Sequence, residues 1–300
     1  MKKSDKFKKR IVFSGIATAL ITPFRDERVD YRAFERLIER QLDAGIRALV
    51  FCGTTGESAT LTDEEKIEIF TFAKDLVCDR ATLIFGCSTN SHLKTMKMAN
   101  AACECGADAL LCVTPYYNKG TSAGIIASYR ELCSLEKSVI LYNVPSRTGV
   151  DVDTDLLKKL AREPNLCAVK ECAGIERISR ECFEFSDRLA VYSGNDTELL
   201  PSLSVGAAGC ISVISNLYPR ETREVYDAFV NSENKKALAC DKRLFNIKRL
   251  LFEETSPAPV KYALSTLGLC EDTLRLPLGS ISRKLKKKID AEMKKISQNI

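Results

Sequence analysis

Asn165-Leu166-Cys167-Ala168-Val169-Lys170 is a short run of mostly apolar residues that ends in a lysine. The pattern predicts a buried strand with the amine of Lys170 at its carboxyl end. Because desolvating an ammonium group is unfavourable, this lysine is expected either to be neutral or to extend its head group into water. A neutral amine in a closed site is a nucleophile toward carbonyls, so Lys170 is a candidate for Schiff-base formation.

Seven other apolar runs of this kind recur at intervals of about thirty residues, with amphipathic stretches between them. Eight such β-then-α units predict a (β/α)8 TIM barrel. A doubly wound sheet uses the same alternation, but a glycine-rich phosphate turn would then be expected where Thr22-Pro23-Phe24-Arg25 stands. The eight predicted strands are Ile16–Ile21, Ala48–Cys52, Thr82–Gly86, Ala109–Val113, Val139–Tyr142, Leu166–Val169, Leu189–Tyr192 and Gly209–Val213.

The helical stretches carry their own markers. Phe34, Leu37, Ile38 and Leu42 recur at the spacing of one helix face, and Thr62-Asp63-Glu64-Glu65 has the pattern of a capping box. We divide the chain into a basic, disordered head (residues 1–10), the barrel (11–222), and the last barrel helix with an appended C-terminal helical extension (223–300).

Composition excludes several classes of protein. The formal net charge is only +5, and much of the basic excess lies at the two ends of the chain. No basic stripe interleaved with aromatic residues runs through the middle, so no nucleic-acid partner is expected. No apolar run approaches the roughly 20 residues of a membrane span, so no membrane partner is expected either. Basic residues 2–10 before an apolar run could indicate a signal peptide, but a tail followed by the first core strand is the preferred interpretation.

The thirteen cysteines lie mostly inside apolar segments, where they act as small hydrophobic residues. No Cys-x-x-Cys motif occurs and His92 is the only histidine, so no metal site is predicted. Free thiols in this number are typical of a reducing compartment, which indicates a cytoplasmic protein.

In a barrel of this type the chemistry lies at the carboxyl ends of the strands. The residues there include hydroxyl groups, tyrosines, one arginine and one lysine, but no histidine and no flanking pair of carboxylates. Such a set suits carbonyl chemistry through an imine, with a tyrosine moving protons. The segments are Gly53–Ser58, Thr114–Lys119, Tyr142–Gly149, Lys170, Ser193–Asp196 and Ile211–Ser212.

Each segment also has a plainer interpretation. Gly53-Thr54-Thr55-Gly56 has the composition of an ordinary turn, and Arg147 has the setting of a surface charge in a proline-containing loop. Lys261 follows an apolar residue too, but it precedes a helical pattern and is predicted to lie on a helix surface. The functional interpretation is favoured because the polar segments fall at successive strand ends.

Three motifs carry a family resemblance: Gly53-Thr54-Thr55-Gly56-Glu57-Ser58-Ala59-Thr60-Leu61, Tyr142-Asn143-Val144-Pro145-Ser146-Arg147-Thr148-Gly149 and Val169-Lys170-Glu171. Together they resemble the dihydrodipicolinate synthases, which belong to the N-acetylneuraminate lyase-like class I pyruvate aldolases. The resemblance runs from about residue 15 to about residue 278. It implies condensation of pyruvate with L-aspartate 4-semialdehyde, in the diaminopimelate route to lysine, by a cytoplasmic homotetramer.

The resemblance also implies roles for individual residues. Lys170 would form the Schiff base with pyruvate, so that no organic cofactor is needed, and Tyr142 would donate and accept protons. Thr54 and Tyr117 would complete a proton relay, with Tyr117 shared across a subunit interface. Arg147 would bind the carboxylate of the semialdehyde. The residues implied to bind substrate are Thr55, Arg147, Gly194 and Ile211.

A regulatory site of some family members is altered in this sequence. Free lysine inhibits those members at an interface whose counterparts here are Ser58, Ala59, Asn90 and Tyr116. Where the family site has two histidines and a glutamate, this chain has Asp63, Lys66 and Lys94. The ammonium group of a ligand would therefore meet two cations in place of an acid, so this pocket is expected not to bind lysine.

Two other functions stay open. A related pyruvate-dependent aldolase or lyase could act on a sugar acid or another 2-oxo acid, although a polyol substrate would favour hydroxyl contacts where Arg147 stands. A catalytically silent barrel used for binding is the second alternative. The complete set of Lys170, Tyr142, Thr54 and Tyr117 argues against it.

Overall fold

The computed structural model describes residues 9–298 of the chain. Eight parallel strands form a closed barrel, in which each strand pairs with the next along the chain and the last pairs with the first. This confirms the (β/α)8 prediction and makes the doubly wound alternative wrong. The strands are β1 (Gly15–Ala19), β2 (Ala48–Phe51), β3 (Thr82–Gly86), β4 (Ala109–Val113), β5 (Ser138–Asn143), β6 (Leu166–Glu171), β7 (Ala190–Ser193) and β8 (Gly209–Ser212).

All eight predicted runs are therefore strands, and their boundaries differ from the predicted ones by at most two residues. The first run stops at Ala19 rather than at Ile21. The sixth continues past Val169 to include Lys170 and Glu171, both of them buried. Charged residues can extend a buried strand when their polar ends find partners, which the apolar pattern alone does not reveal.

Helices lie between the strands and continue beyond the barrel. As predicted, α1 buries Phe34, Leu37, Ile38 and Leu42, and the capping box of Thr62 and Glu65 opens α2. The helices are α1 (Tyr31–Asp43), α2 (Asp63–Val77), α3 (His92–Glu104), α4 (Ser122–Cys133), α5 (Pro145–Thr148), α6 (Thr154–Leu160), α7 (Ile175–Glu184), α8 (Leu199–Ser204), α9 (Pro219–Val230), α10 (Asn234–Leu250), α11 (Ala258–Thr266) and α12 (Arg283–Ser297).

The C-terminal helices share a hydrophobic core with the start of the barrel. Ile247 of α10, Leu264 of α11 and Ile289 of α12 pack in one cluster with Ile21 and Leu37. Burying these side chains stabilises the contact by about 1.5–3 kcal/mol for each large aliphatic residue. Helix α9 begins at Pro219, before the predicted boundary at residue 222, so the division between barrel and extension falls inside a helix.

Residues 1–8 of the predicted basic head lie outside the described residues, whereas Arg10 donates to Asn165 Oδ1 at 3.2 Å. Within residues 9–298, no helix combines the length and the apolar character that a bilayer span requires. All thirteen cysteines are free thiols.

Lys261 is not on a helix surface, so that prediction was wrong. Its side chain is fully buried and its Nζ donates to Glu57 Oε1 at 2.5 Å, and the Glu57 side chain is also fully buried. The same amine donates to the carbonyl of Thr273 at 2.8 Å and lies 4.2 Å from the ring centroid of Phe24. Burial lowers the pKa of Lys261, and the Glu57 carboxylate opposes that change.

Arg275 adds a second set of contacts between the C-terminal region and the same loop. Its backbone N–H donates to Glu57 Oε2 at 3.2 Å. Its guanidinium donates to both carboxylate oxygens of Glu65, at 2.5 and 2.7 Å, and to the carbonyl of Thr60 at 3.0 Å. A bidentate arginine–carboxylate pair fixes direction as well as distance. The loop that carries Thr54 and Thr55 is therefore held from the C-terminal side.

We predict that Lys261→Met lowers the free energy of unfolding by about 3–5 kcal/mol, because it leaves the Glu57 carboxylate buried without its cation. Denaturant-induced unfolding followed by circular dichroism measures the change. The double variant Lys261→Met with Glu57→Gln removes the unpaired charge and should recover most of the loss. Unfolding of Lys261→Met at the wild-type midpoint would show that the ion pair does not constrain the loop.

Candidate active site

The carboxyl ends of β5 and β6 bring Tyr142 and Lys170 together. The two residues are partners in the strand register, and each is only 7% exposed. The Nζ atom of Lys170 lies 4.1 Å from the centroid of the Tyr142 ring. An amine and a phenol ring in contact, on neighbouring strands of a rigid barrel, can both exchange protons with one small molecule bound beside them.

The environment of Tyr142 affects its acidity in two opposing ways. Burial raises the pKa of the phenol, because the phenolate loses its hydration. The charge of Lys170 and the adjacent Thr54 hydroxyl favour the phenolate and oppose that rise. The structure thus brings three of the four predicted catalytic residues together, with Thr54 on the loop after β2.

Gly194, directly after β7, lies against the lysine. A Cβ atom at this position would stand 2.9 Å from Lys170 Cε and 2.2 Å from Cys172 Sγ. Any side chain there would displace the lysine or the thiol, so glycine is required by close approach. The backbone N–H of Gly194 donates to the carbonyl of Glu171 at 2.8 Å, which fixes this turn beside β6.

Cys172 is a site residue that the sequence reasoning missed. Burial raises the pKa of its thiol to about 11, while the charge of Lys170 and the hydroxyl of Tyr142 act in the opposite direction. The only signal in the sequence was its position, two residues after the lysine. The thiol is therefore part of the wall beside the amine, and it stays protonated at neutral pH.

Thr55 is buried, and the loop around it has an unusual backbone. Cys52 and Glu57 have φ angles of 51° and 55°, in the left-handed region. Thr22 Oγ1 donates to the carbonyl of Gly56 at 2.8 Å. Contacts from Thr22, Lys261 and Arg275 therefore hold this strained loop in place. Strained backbone conformations persist where the surrounding structure constrains them in this way.

Ile211 is fully buried in β8, and the turn after it is built around a carboxylate. Asp196 accepts hydrogen bonds from Ser212 Oγ at 2.5 Å and from the backbone N–H groups of Val213 and Ile214 at 3.0 and 2.9 Å. Burial raises the pKa of Asp196, and these hydrogen bonds oppose the rise. The backbone around Ile211 is thereby held in one conformation.

Two predicted site residues lie away from the lysine–tyrosine pair. Tyr117 is 90% exposed with a φ angle of 70°, and within this chain it does not reach Tyr142. Arg147 is exposed on α5, and its Nη2 atom donates to the carbonyl of Ser256 at 3.3 Å. Arg147 therefore stands at the rim, where it could meet a group projecting from the barrel.

The residues of the altered regulatory site belong to α2, to α3 and to the loops that precede α2, α3 and α4. Lys66 is 6% exposed, whereas Lys94 is exposed on α3. Asp63 is paired with Lys97 at 3.0 Å, and the carbonyl of Asn90 accepts from Asn118 Nδ2 at 2.8 Å. Ser58 and Tyr116 are half-buried and Ala59 is exposed.

A polar network that the sequence reasoning also missed lies behind the strand ends. Asn143 and Glu171 directly follow Tyr142 and Lys170, and they too are partners in the register. Asn143 Nδ2 donates to both oxygens of Glu171, at 3.1 and 2.9 Å. Since neighbouring residues of a strand face opposite sides, this network holds the strand ends from outside the barrel.

Within residues 9–298, no three His, Cys, Asp or Glu side chains are grouped as a metal ion would require. The donors at the strand ends are an amine, a phenol, hydroxyls and a thiol. This set is suited to proton transfer and to nucleophilic attack on a carbonyl.

A (β/α)8 barrel with a buried lysine and a buried tyrosine at adjacent strand ends defines the class of aldolase-type lyases that act through a lysine imine. The model of the dihydrodipicolinate synthetase family matches residues 12–296. The chain belongs to that family.

Proteins with similar sequences align with this chain over nearly its whole length. A 4-hydroxy-tetrahydrodipicolinate synthase of Magnetococcus marinus is 42% identical over 288 residues, which are 95% of this chain and 99% of the relative. The dihydrodipicolinate synthase of Aquifex aeolicus superposes with a TM-score of 0.92 at 38% identity, covering 95% of this chain and 98% of that one. The enzyme from Cyanidioschyzon merolae, solved with lysine bound, has a TM-score of 0.92 at 34% identity, covering 96% and 99%.

Proposed function

We propose that the protein condenses pyruvate with L-aspartate 4-semialdehyde to give 4-hydroxy-tetrahydrodipicolinate, through a Schiff base on Lys170. The observation that carries the proposal is the buried Lys170–Tyr142 pair, with 4.1 Å between the amine and the ring centroid. The named relatives support the choice of reaction, since they are synthases of this kind and each aligns with 95% of this chain.

The chemistry follows from the groups present. The amine of Lys170, once it has given up its proton, adds to the ketone of pyruvate, and loss of water gives the imine. The imine loses a methyl proton and becomes an enamine, whose carbon attacks the aldehyde of the second substrate. The amino group of that substrate then displaces the lysine and closes the ring. Tyr142, with Thr54 beside it, accepts and returns protons at these steps, an effect typically worth about 10²–10⁴-fold.

Carboxylate binding is assigned to three positions. Thr55 and the backbone around Ile211 hold the carboxylate of pyruvate, since both positions are buried and lie at the carboxyl ends of β2 and β8. Arg147 binds the carboxylate of the semialdehyde at the rim, where its exposed guanidinium, which also donates from Nη2 to the carbonyl of Ser256, offers further N–H groups to the substrate. Because the lysine itself supplies the electron sink, the reaction needs no organic cofactor.

We infer that Tyr117 acts in an assembly. The Tyr117 side chain is 90% exposed and leaves a large aromatic ring in water, whereas such rings usually contribute to a core or an interface. A homotetramer in which Tyr117 enters the site of a neighbouring subunit accounts for this exposure. The thirteen free thiols favour a reducing cytoplasm.

Treatment with pyruvate and borohydride tests the central assignment. We expect one reduced pyruvate adduct per chain, on a peptide containing Lys170, as measured by mass spectrometry. Lys170→Ala should form no adduct, while Lys242→Ala, which removes an exposed lysine of α10, should form it normally. An adduct that persists in Lys170→Ala would remove this lysine from the mechanism.

Arg147→Ala tests the second substrate. We expect a higher KM for aspartate semialdehyde, because the loss of charge-assisted hydrogen bonds weakens its binding by about 1.5–3 kcal/mol. Formation of the pyruvate adduct should be unchanged. Arg147→Lys keeps the charge but not the fork, and should recover only part of the affinity. Unchanged semialdehyde kinetics, or better turnover of a neutral polyhydroxy aldehyde, would favour the related sugar-acid aldolase instead.

We also propose that free lysine inhibits this enzyme weakly or not at all, although one relative was solved with lysine bound. A ligand ammonium would approach Lys66 and Lys94, and two like charges about 4 Å apart repel by about 4 kcal/mol at an effective dielectric constant of about 20. Lys94 can turn into solvent, but Lys66 is only 6% exposed. The expected loss of affinity is one to three powers of ten, at about 1.4 kcal/mol each.

Steady-state rates at increasing lysine concentration measure this sensitivity. The double variant Lys66→His with Lys94→Glu should gain inhibition if charge repulsion is the reason. No gain would mean that the pocket is lost for another reason, and strong inhibition of the unmodified enzyme by sub-millimolar lysine would contradict the proposal.

A further inference from the structure

Glu181 is a fully buried glutamate on α7, behind the strand that carries Lys170. Within residues 9–298, no N–H or O–H group donates to either oxygen of its carboxyl group. An ionised carboxylate left in this state would lose its hydration without compensation, which is among the most unfavourable arrangements in a protein interior. Its chemical state therefore needs an explanation.

The neighbour of Glu181 is another buried carboxyl group. Glu171 is fully buried at the end of β6 and forms a side-chain interaction with Glu181. Its own oxygens accept from Asn143 Nδ2, at 3.1 and 2.9 Å, and from the backbone N–H of Ala173 at 2.6 Å. Glu171 is thus well supplied with donors as an anion, whereas Glu181 has none.

The charges around the two glutamates do not balance without a proton. The cation whose charge acts on both carboxyl groups is Arg177 of α7, and its guanidinium donates to Asp151, at 3.1 and 2.8 Å, and to the carbonyl of Val152 at 2.8 Å. Strand β7 and helix α8, which also pack against α7, contain no acidic or basic residue, and Tyr192 of β7 donates to the carbonyl of Phe13. Three carboxyl groups therefore face one guanidinium.

We propose that Glu171 and Glu181 hold one proton between them, and that this pair positions the ends of β5 and β6. The carboxyl O–H of Glu181 donates to the carboxylate of Glu171, which satisfies both groups. Glu171 is then held against Asn143, and the two residues keep Lys170 and Tyr142 at their separation. Glu171 and Glu181 are positioning residues, since neither lies on the lumen side of the barrel with the amine.

The electrostatic environment agrees with this arrangement. Burial is the largest cause that raises the pKa of Glu181, and the nearby carboxylate of Glu171 adds to the rise. Burial also raises the pKa of Glu171, which its hydrogen bonds from Asn143 and Ala173 oppose. A second ionisation would place two like charges in contact, so Glu171 would move away from Asn143.

The pair has a consequence for stability that does not depend on catalysis. The unfolded chain releases this proton at a carboxyl group's usual pKa of about 4.3, whereas the folded chain keeps it well above neutral pH. The folded state therefore binds one more proton than the unfolded state in this window. Stability must fall as pH rises, by up to about tenfold per pH unit in the unfolding equilibrium constant.

Glu181→Gln tests the shared proton, because the amide can donate to Glu171 but cannot titrate. Denaturant unfolding between about pH 6 and pH 9 should show that the unfolding constant of the wild type rises relative to the variant by up to about tenfold per pH unit. Glu176→Gln is the matched control on the same helix, where the side chain is 89% exposed, and it should follow the wild type. A slope in Glu181→Gln equal to that of the wild type would overturn the proposal.

Infrared spectroscopy provides a second measurement on the folded protein. At neutral pH the wild type should show the C=O stretching band of a protonated, buried carboxyl group. That band should be absent in Glu181→Gln and present in Glu176→Gln. An unchanged band in Glu181→Gln would mean that the proton resides elsewhere.

The positioning role rests on the proposed function and is tested by the pH profile of kcat. If the second ionisation of the pair releases Glu171, the alkaline decrease of kcat should move to higher pH in Glu181→Gln but not in Glu176→Gln. An unmoved profile would remove the positioning role. Absence of a borohydride adduct in the wild type and in every variant would instead contradict the proposed function. The stability measurement would still show whether Glu171 and Glu181 share a proton.

Discussion

The buried ion pair between Glu57 and Lys261 joins the two parts of the chain on which the site depends. Its partners lie 204 residues apart, and both side chains are fully buried. A hydrophobic pair of similar volume could stabilise the fold equally well. The ion pair therefore matters because it fixes how the two segments are oriented, rather than because it adds to the free energy of unfolding. It fixes the loop after β2 against α11, and that loop carries Thr54 and Thr55. The C-terminal helices are therefore part of the structure that shapes the site.

The ends of β5 and β6 show how one pair of strands serves two purposes. Successive residues of a strand point to opposite faces, so Tyr142 and Lys170 face the lumen while Asn143 and Glu171 face the surrounding helices. The lumen side supplies an amine and a phenol for carbonyl chemistry. The outer side supplies the polar contacts that hold those strand ends in register. Reactive groups are thus supported from directly behind, which is how a rigid site keeps sub-ångström geometry.

The strength of the sequence pattern explains what could be predicted. Eight apolar runs at regular spacing have few alternatives to a barrel, and each run became a strand. The convergence of Thr54, Tyr142 and Lys170 followed from the rule that parallel strands end at one face. Gly194 followed from the family resemblance, and the reason for a glycine became visible only in the structure, where a Cβ atom at this position would lie 2.9 Å from Lys170 Cε. Arg147 and Tyr117 were found by motif, and the structure added that the Tyr117 side chain is 90% exposed.

The sequence by itself determined the order of strands and helices, the capping box of α2 and the strand ends that carry the reactive groups, because these depend on patterns within about twenty residues. Only the tertiary structure decided that Lys261 is buried, that Cys172 lines the wall of the site and that Glu181 lies against Glu171. Each of these depends on which distant group the fold places beside a polar side chain. From sequence alone, a charged residue in a helical pattern is predicted to face solvent. A charge can be buried only where a partner compensates for its lost hydration, and that partner is often distant in the sequence, so the local pattern does not reveal it.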